Sequence, residues 1–410
     1  MSAALFAAMD GRKVLLVEQT EYVGGTTALS AATTWIPCTR HAAAVSEGDT
    51  LEIAEKFLAI AVGDRTPAAL RKKMLETGPE ALDRIEAQSE VKYRPYPLHP
   101  DYLTELEGST LKGRALEPVP FDGRRLGKLL SLVRPPIPEF TVLGGMAVDR
   151  NDIFHLLRAT SSLKSFAYCM KILLRHAGDR LTRARGTRLV MGNALIGRLL
   201  YSLDRRGVPM VLETSLERIH ADATGVHAVT LAQKGIRRTI QIKGGLILAT
   251  GGFNRNPALR REMLPGIDMT WCPGAPGHTG QAHELALSLG AQYGTGGLSN
   301  AYWAPVSLRK RRDGSTAVFP HFVMDRAKPG FITVNRKGAR FLNESTSYHL
   351  FGLAMQEANA QGDSIPAYLV CDARALKKYG IGMVRPGGRG LKPFLKDGYL
   401  ARGNTLDELA

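Results

Sequence analysis

Short apolar runs closed by glycine turns mark the two most readable parts of this chain. Ser2 to Met9 is an alanine-rich helical stretch that stops at Asp10-Gly11, a common C-terminal signal. Val14-Leu15-Leu16-Val17 follows as a continuous apolar run, the pattern of a short strand covered on both faces, and it ends in Glu18. Leu246-Ile247-Leu248-Ala249 predicts another buried parallel strand, turning sharply at Thr250-Gly251-Gly252-Phe253. Val211 to Leu216 predicts a strand, and Val226 to Leu231 with Arg238 to Lys243 predicts a small β-ribbon. Asn193-Ala194-Leu195 begins a helix, and Arg340 with Glu344 predicts an ion pair that fixes a loop.

Helix, tight turn, parallel strand and terminal carboxylate together form the second half of a dinucleotide-binding unit. The acid there accepts hydrogen bonds from ribose hydroxyls. The first glycine of the G-x-G-x-x-G turn lies about 20 residues before that acid. Counting back from Glu18 passes Met1, so Ser2 to Met9 is expected to be the pyrophosphate helix without its opening turn and preceding strand. Gly294 to Gly297 and Gly387 to Gly390 do not sit between a strand and a helix, and are read as turns. After the acid, Gly24-Gly25 lets backbone approach a ligand closely, and Thr26, Thr27 and Ser30, ahead of Ala31, offer hydroxyl donors. A plain tight turn into a helix is the competing reading.

Composition narrows the class. At 410 residues two domains are expected, placed at 1–290, with a helical insertion at about 40–185, and at 291–410. Hydrophobic residues at 44% and charged residues at 22% fit a globular protein, and no apolar run is long enough to span a bilayer. With no basic and apolar leader after Met1, a cytoplasmic location is the expectation. Cys38, Cys169, Cys272 and Cys371 form no CxxC pair, so they are expected to be reduced and mostly buried, with no zinc or other metal site. The net charge of +16 raises nucleic acid or an anionic membrane as partners, but scattered arginines without interleaved aromatics argue against nucleic acid. Ser162 to Arg185 is the local exception, where Lys164, Lys171, Arg175, Arg180, Arg183 and Arg185 accompany Phe166 and Ile172 to Leu174. Peripheral membrane contact is one reading of that basic amphipathic helix; a surface helix with a solvated face is preferred.

Four blocks resemble the FAD-dependent oxidoreductases that include fumarate reductase flavoproteins and 3-ketosteroid Δ1-dehydrogenases. They are the Glu18 strand with GGTTALSAATTWIP (Gly24 to Pro37), Arg185 to Leu203, GLILATGGFNRNPALR (Gly245 to Arg260) and KPGFITVNRKGARFLNESTSY (Lys328 to Tyr348). The resemblance runs in order through the chain. It implies an α/β fold: a Rossmann-like FAD-binding domain, whose first strand and glycine loop are missing here, with a mixed α/β substrate-capping domain. Family members usually run past the final residue, so the C-terminus is also expected to be cut short. The implied FAD contacts are Glu18, Gly24, Gly25, Thr26, Thr27, Ser30, Ala31, Leu216, Ala249, Thr250, Gly251 and Gly252. Asn193 is placed beside the cofactor. Gln281 stands where related segments often carry an acid, while Thr279 and Gly280 remain candidates to line the flavin.

The resemblance also divides two chemistries. After Asn343-Glu344, fumarate-reductase-type members carry a catalytic arginine at the place of Tyr348, whereas ketosteroid dehydrogenases carry tyrosine. Reducing a dicarboxylate needs cationic clamps. Desaturating an apolar ketone needs a proton-abstracting phenolate and hydride transfer to flavin. The expectation is a FAD-dependent dehydrogenase acting beside the carbonyl of a small apolar, steroid-like ketone, with an unspecified electron acceptor. Tyr348 is the candidate base and Tyr102 the candidate for proton relay, with a buried packing tyrosine and a loop tyrosine as their alternatives. Tyr302 and Trp303 are expected to form apolar wall. Tyr399 with Gly398 is the nearest candidate to a carbonyl-polarising group, but is not assigned that role. The competing functions are a fumarate-reductase-like enzyme and an inactive truncated fragment that binds FAD poorly.

Overall fold

The computed structural model describes residues 1–46 and 48–410, and the chain divides into two compact units. The first holds residues 1–260 and 274–296; the second holds residues 261–273 and 297–410.

In the first unit, α1 (Ser2–Met9) ends at Asp10, and Gly11 takes a left-handed conformation, as the Asp-Gly stop implies. Its Leu5 is fully buried against the helix α6 (Met191–Arg205), whose Leu199, Leu200 and Leu203 form the centre of the main core. Each such leucine contributes about 2 kcal/mol through removal from water. The strand β1 (Leu16–Val17) pairs in parallel with β2 (Met210–Val211), Leu16 opposite Met210. It is shorter and less covered than its apolar run predicts, and Leu15 is exposed. An antiparallel sheet follows: β3 (Thr214–Asp222), β4 (Gly225–Gln233) and β5 (Ile236–Gln241), which extends the predicted ribbon by one strand.

Leu246–Ala249 is not a strand, and this corrects the expectation. The segment has no ladder partner among the described residues, and Ile247 is 67% exposed. Only Leu246 packs on the hydrophobic face of β3 and β4, beside Val17. A parallel strand exists only by hydrogen bonding to a neighbour, and the apolar run alone cannot supply one.

Between β1 and α6 lie the helices α2 (Leu51–Val62), α3 (Ala68–Gln88), α4 (Arg150–Leu157) and α5 (Leu163–Thr182). Arg114, 1% exposed, bridges Asp49 and Asp101 there at 2.7 and 2.9 Å. After β5 comes the short helix α7 (Gln281–Leu287). Of the four free cysteines Cys169 is buried and the others half-buried, so burial is less general than expected. The described residues contain no metal-binding cluster.

The second unit pairs β6 (Val306–Lys310) with β7 (Thr316–Pro320) and β8 (Phe331–Val334) with β9 (Tyr368–Cys371), both antiparallel. Between β8 and β9 runs α8 (Tyr348–Ala358), capped by the Ser347 hydroxyl, which accepts from Leu350 N–H. The Arg340–Glu344 pair forms as predicted, at 2.6 Å. Glu344 is buried and also accepts from Thr333 N–H at 2.7 Å, which ties the approach to α8 onto β8. Burial pushes the Glu344 carboxyl up, but the Arg340 guanidinium and Thr333 N–H together hold it below the usual carboxylate range.

Candidate active site

Glu18 closes β1 at the carboxyl rim. Its N–H donates to Val211 O and its O accepts from Thr214 N–H, so neighbouring strands fix its backbone. Thr20 N–H donates to Oε1 at 2.8 Å, and Thr20 Oγ1 lies equally close. Oε2 has no hydrogen-bond partner among the described residues, leaving half of the carboxylate to accept from a ligand. Beside it, Arg134 is buried and donates from Nη2 to Thr20 Oγ1 at 2.7 Å, while its Nε has no hydrogen-bond partner among the described residues.

The loop after Glu18 is held from below by α6. Gly192 N–H donates to Ser30 O at 3.0 Å, and the Asn193 side chain donates to Ala28 O at 2.7 Å and Arg134 O at 3.2 Å. Asn193 thereby shapes the loop through its carbonyls. Gly24 adopts φ +107°, and a Cβ there would lie 2.8 Å from Ile196, so only glycine fits. Thr26, Thr27 and Ala31 face solvent, whereas the Ser30 hydroxyl is spent on Thr27 O and Ala32 N–H.

His278, not anticipated from the sequence, joins this loop to the second glycine turn. Its Nδ1 donates to Asn254 Oδ1 at 3.0 Å, and Nε2 lies 3.5 Å from Thr26 Oγ1, which accepts from Ala275 N–H at 3.0 Å. At Gly251, φ is +76° and a Cβ would come within 2.7 Å of the His278 ring. Burial, reinforced by the Arg134 and Arg255 cations, lowers the His278 pKa and favours the neutral ring. Glu18, Gly24–Thr26, Gly251 and His278 are thus brought together in one unit. Ala249, Thr250 and Gly252 continue along the extended segment, and Leu216 lies half-buried on β3. Gln281 opens α7, and the nearby Asn256 side chain donates to Glu284 Oε1 at 3.2 Å. An oxygen left free on Glu18, an unpaired buried arginine nitrogen and two glycine turns fit the ribose and ring portions of a dinucleotide. No G-x-G-x-x-G turn for the pyrophosphate occurs in the 410 residues.

Tyr102 lies in a loop of the first unit, 43% exposed, with its ring 6.0 Å from His99. The preceding Asp101 is buried and accepts from Arg114, from Trp35 Nε1 at 2.6 Å and from Thr110 N–H at 2.9 Å, so the loop is firmly anchored. In the second unit, Tyr348 is the first residue of α8 and meets Phe322 edge-on at 5.8 Å. Its neighbour His349 accepts from Trp303 N–H at 3.2 Å and lies 5.2 Å from the Tyr302 ring. Burial lowers the His349 pKa. Trp303 packs against Gly352 of α8, while Tyr302 is 90% exposed and does not form the expected wall.

Sequence reasoning also missed a hydrogen-bonded chain beside Phe322. His321 bonds Asp325 through Nδ1 and Ser307 through Nε2 at 2.8 Å; Ser307 meets the Tyr399 hydroxyl at 2.7 Å, which accepts from Met383 N–H at 3.1 Å. Burial raises the Tyr399 pKa. The four side chains stand up to 92 residues apart, and their mutual bonds tie the C-terminal segment to β6 and β7.

The family model described as "FAD binding domain" matches residues 1–398. The chain belongs to this family. It is a FAD-dependent oxidoreductase, and its fold is the α/β flavoenzyme fold expected from the sequence. It is 38% identical to the 4-oxocyclohex-2-ene-1-carboxylate 5-dehydrogenase of Sinomonas cyclohexanicum, over all of this chain and 69% of that protein. It is 31% identical to the 3-oxosteroid 1-dehydrogenase of Mycolicibacterium smegmatis, over all of this chain and 72% of that one. Among solved structures, the 3-ketosteroid Δ1-dehydrogenase of Sterolibacterium denitrificans in complex with 1,4-androstadiene-3,17-dione superposes with a TM-score of 0.84 at 27% identity, covering 97% of this flavoenzyme and 71% of that chain. The NADH:fumarate oxidoreductase of Klebsiella pneumoniae matches at 25% identity over 57% of this chain.

Proposed function

We propose that this flavoenzyme removes two hydrogens from adjacent ring carbons beside the ketone of an alicyclic, steroid-like substrate. The observation that carries the reading is Tyr348, set at the start of α8 by the buried Glu344 and the Ser347 cap. The similarity to dehydrogenases of ring ketones supports it.

In this reading Glu18 accepts from the adenosine ribose with its free oxygen, the Gly24–Thr26 and Gly251–Gly252 turns lie against the cofactor with Thr27, Ser30 and Ala31 flanking them, and Leu216, Ala249 and Thr250 complete the contacts. FAD, when bound, accepts a hydride. Tyr348 takes the proton from the carbon next to the carbonyl. Phe322 offers the phenol an apolar neighbour. This reading also assigns Tyr102, on its anchored loop of the first unit, to proton relay from the substrate side.

The test is Tyr348→Phe, assayed with added FAD, a 3-ketosteroid or 4-oxocyclohexanecarboxylate, and an artificial electron acceptor. Turnover per bound flavin is expected to collapse while flavin content holds. Full turnover by the variant would remove Tyr348 from the chemistry.

A further inference from the structure

Arg134 is a buried cation with no counter-ion among the described residues. Its main chain is held on both sides, its N–H donating to Val23 O and its O accepting from the Asn193 side chain, each at 3.2 Å. The side chain, 7% exposed, is directed at the segment just after Glu18. There Nη2 donates to the Thr20 hydroxyl, and the guanidinium lies 5.4 Å from the centre of the Tyr22 ring. Among the described residues no carbonyl or carboxylate oxygen accepts from it, and Nε donates to nothing.

Other buried arginines of this chain show what a guanidinium ordinarily collects. Arg114 bridges the carboxylates of Asp49 and Asp101. Arg198 donates to the carbonyls of Val119, Glu90 and Pro120 at 2.9, 2.6 and 2.8 Å. Arg326 donates to those of Glu344 and Thr346. Arg134 has one hydroxyl and one ring face instead. A buried charge so poorly compensated is costly, and an arriving anion relieves that cost.

Position identifies the anion. Thr20 Oγ1 lies 2.8 Å from Glu18 Oε1 and 2.7 Å from Arg134 Nη2, so a single hydroxyl separates the cation from the carboxylate read as the ribose acceptor. A nucleotide whose sugar meets Glu18 carries its negative charge on the 5′ oxygen of that same sugar. Burial first, and then the Arg134 cation, lower the His278 pKa, so this charge is also felt beside the two glycine turns. Planar guanidinium donors match pairs of phosphate oxygens. We propose that Arg134 is the counter-ion of the FAD diphosphate, with Nε and the open edge of its guanidinium donating to phosphate oxygens. The assignment rests on the reading of Glu18 as the ribose acceptor.

The test is equilibrium dialysis of the 410-residue chain against adenosine and against ADP, for wild type, Arg134→Gln, Arg134→Lys and Glu18→Gln, with melting temperatures of the ligand-free proteins. Wild type is expected to bind ADP about tenfold or more tighter than adenosine. Arg134→Gln should lose that increment while its adenosine affinity holds, and Arg134→Lys should recover part of it. Removing a charge that has no ion-pair partner should not lower the ligand-free melting temperature. Glu18→Gln should weaken adenosine and ADP alike; unchanged adenosine binding there would refute the ribose reading, while the ADP increment still judges Arg134. Wild type that binds ADP no tighter than adenosine, or not at all, overturns the proposal, as does an intact increment in Arg134→Gln. Equal loss of adenosine and ADP in that variant, with a lowered melting temperature, would make Arg134 a support of the loop and overturn it too.

Discussion

The two units differ in what they offer a reaction. The first offers backbone and charge: two glycine turns, a half-free carboxylate at Glu18 and the neutral ring of His278 that joins them. The second offers an aromatic and carboxylate-anchored frame around Tyr348. Cofactor binding is therefore a property to seek in the first unit and the proton-abstracting base in the second. Flavin content and turnover per flavin should separate accordingly under mutation.

The largest expected effect is the loss of turnover per flavin in Tyr348→Phe, on the order of 10³-fold, within the range for removing a general base. Next is Arg114→Ala, which leaves Asp49 and Asp101 buried and unpaired and should lower folding stability by about 3–5 kcal/mol in urea titration. Gly251→Val imposes a side chain where φ is positive and the His278 ring stands in the way; FAD affinity by fluorescence titration should fall about tenfold or more with turnover per flavin held. Glu18→Gln should weaken the same affinity by about tenfold, the worth of a charge-assisted hydrogen bond. The smallest effect is one of pH. Folding lowers the His278 pKa, so its contribution is complete above the unfolded value of about 6.5 and is lost as pH falls toward the folded value. His278→Asn should flatten the dependence of melting temperature on pH between 7 and 5; an unchanged slope would exclude His278 as its source.

Local signals were legible where neighbours in sequence decide the structure. The Asp10-Gly11 stop gives α1 its end, and the Arg340–Glu344 spacing gives its ion pair. Signals that depend on distant partners were not. Leu246–Ala249 has a strand's composition but no paired neighbour among the described residues, and His278 reaches Thr26 across 252 residues. The helices α5 and α6 show the limit most clearly. Both follow helical periodicity, yet α6 buries Leu199, Leu200 and Leu203 while α5 turns its leucines to solvent. Periodicity fixes the helix, but the direction of its apolar face is set by polar contacts such as Asp179 with Thr187.

The most direct test of the account is mass analysis of a ring ketone incubated with the purified chain, added FAD and an artificial acceptor, with fumarate and a reduced donor as the parallel reaction. The account predicts a product two hydrogens lighter, unsaturated beside the carbonyl, and no succinate. Succinate formation with an unaltered ketone would contradict it.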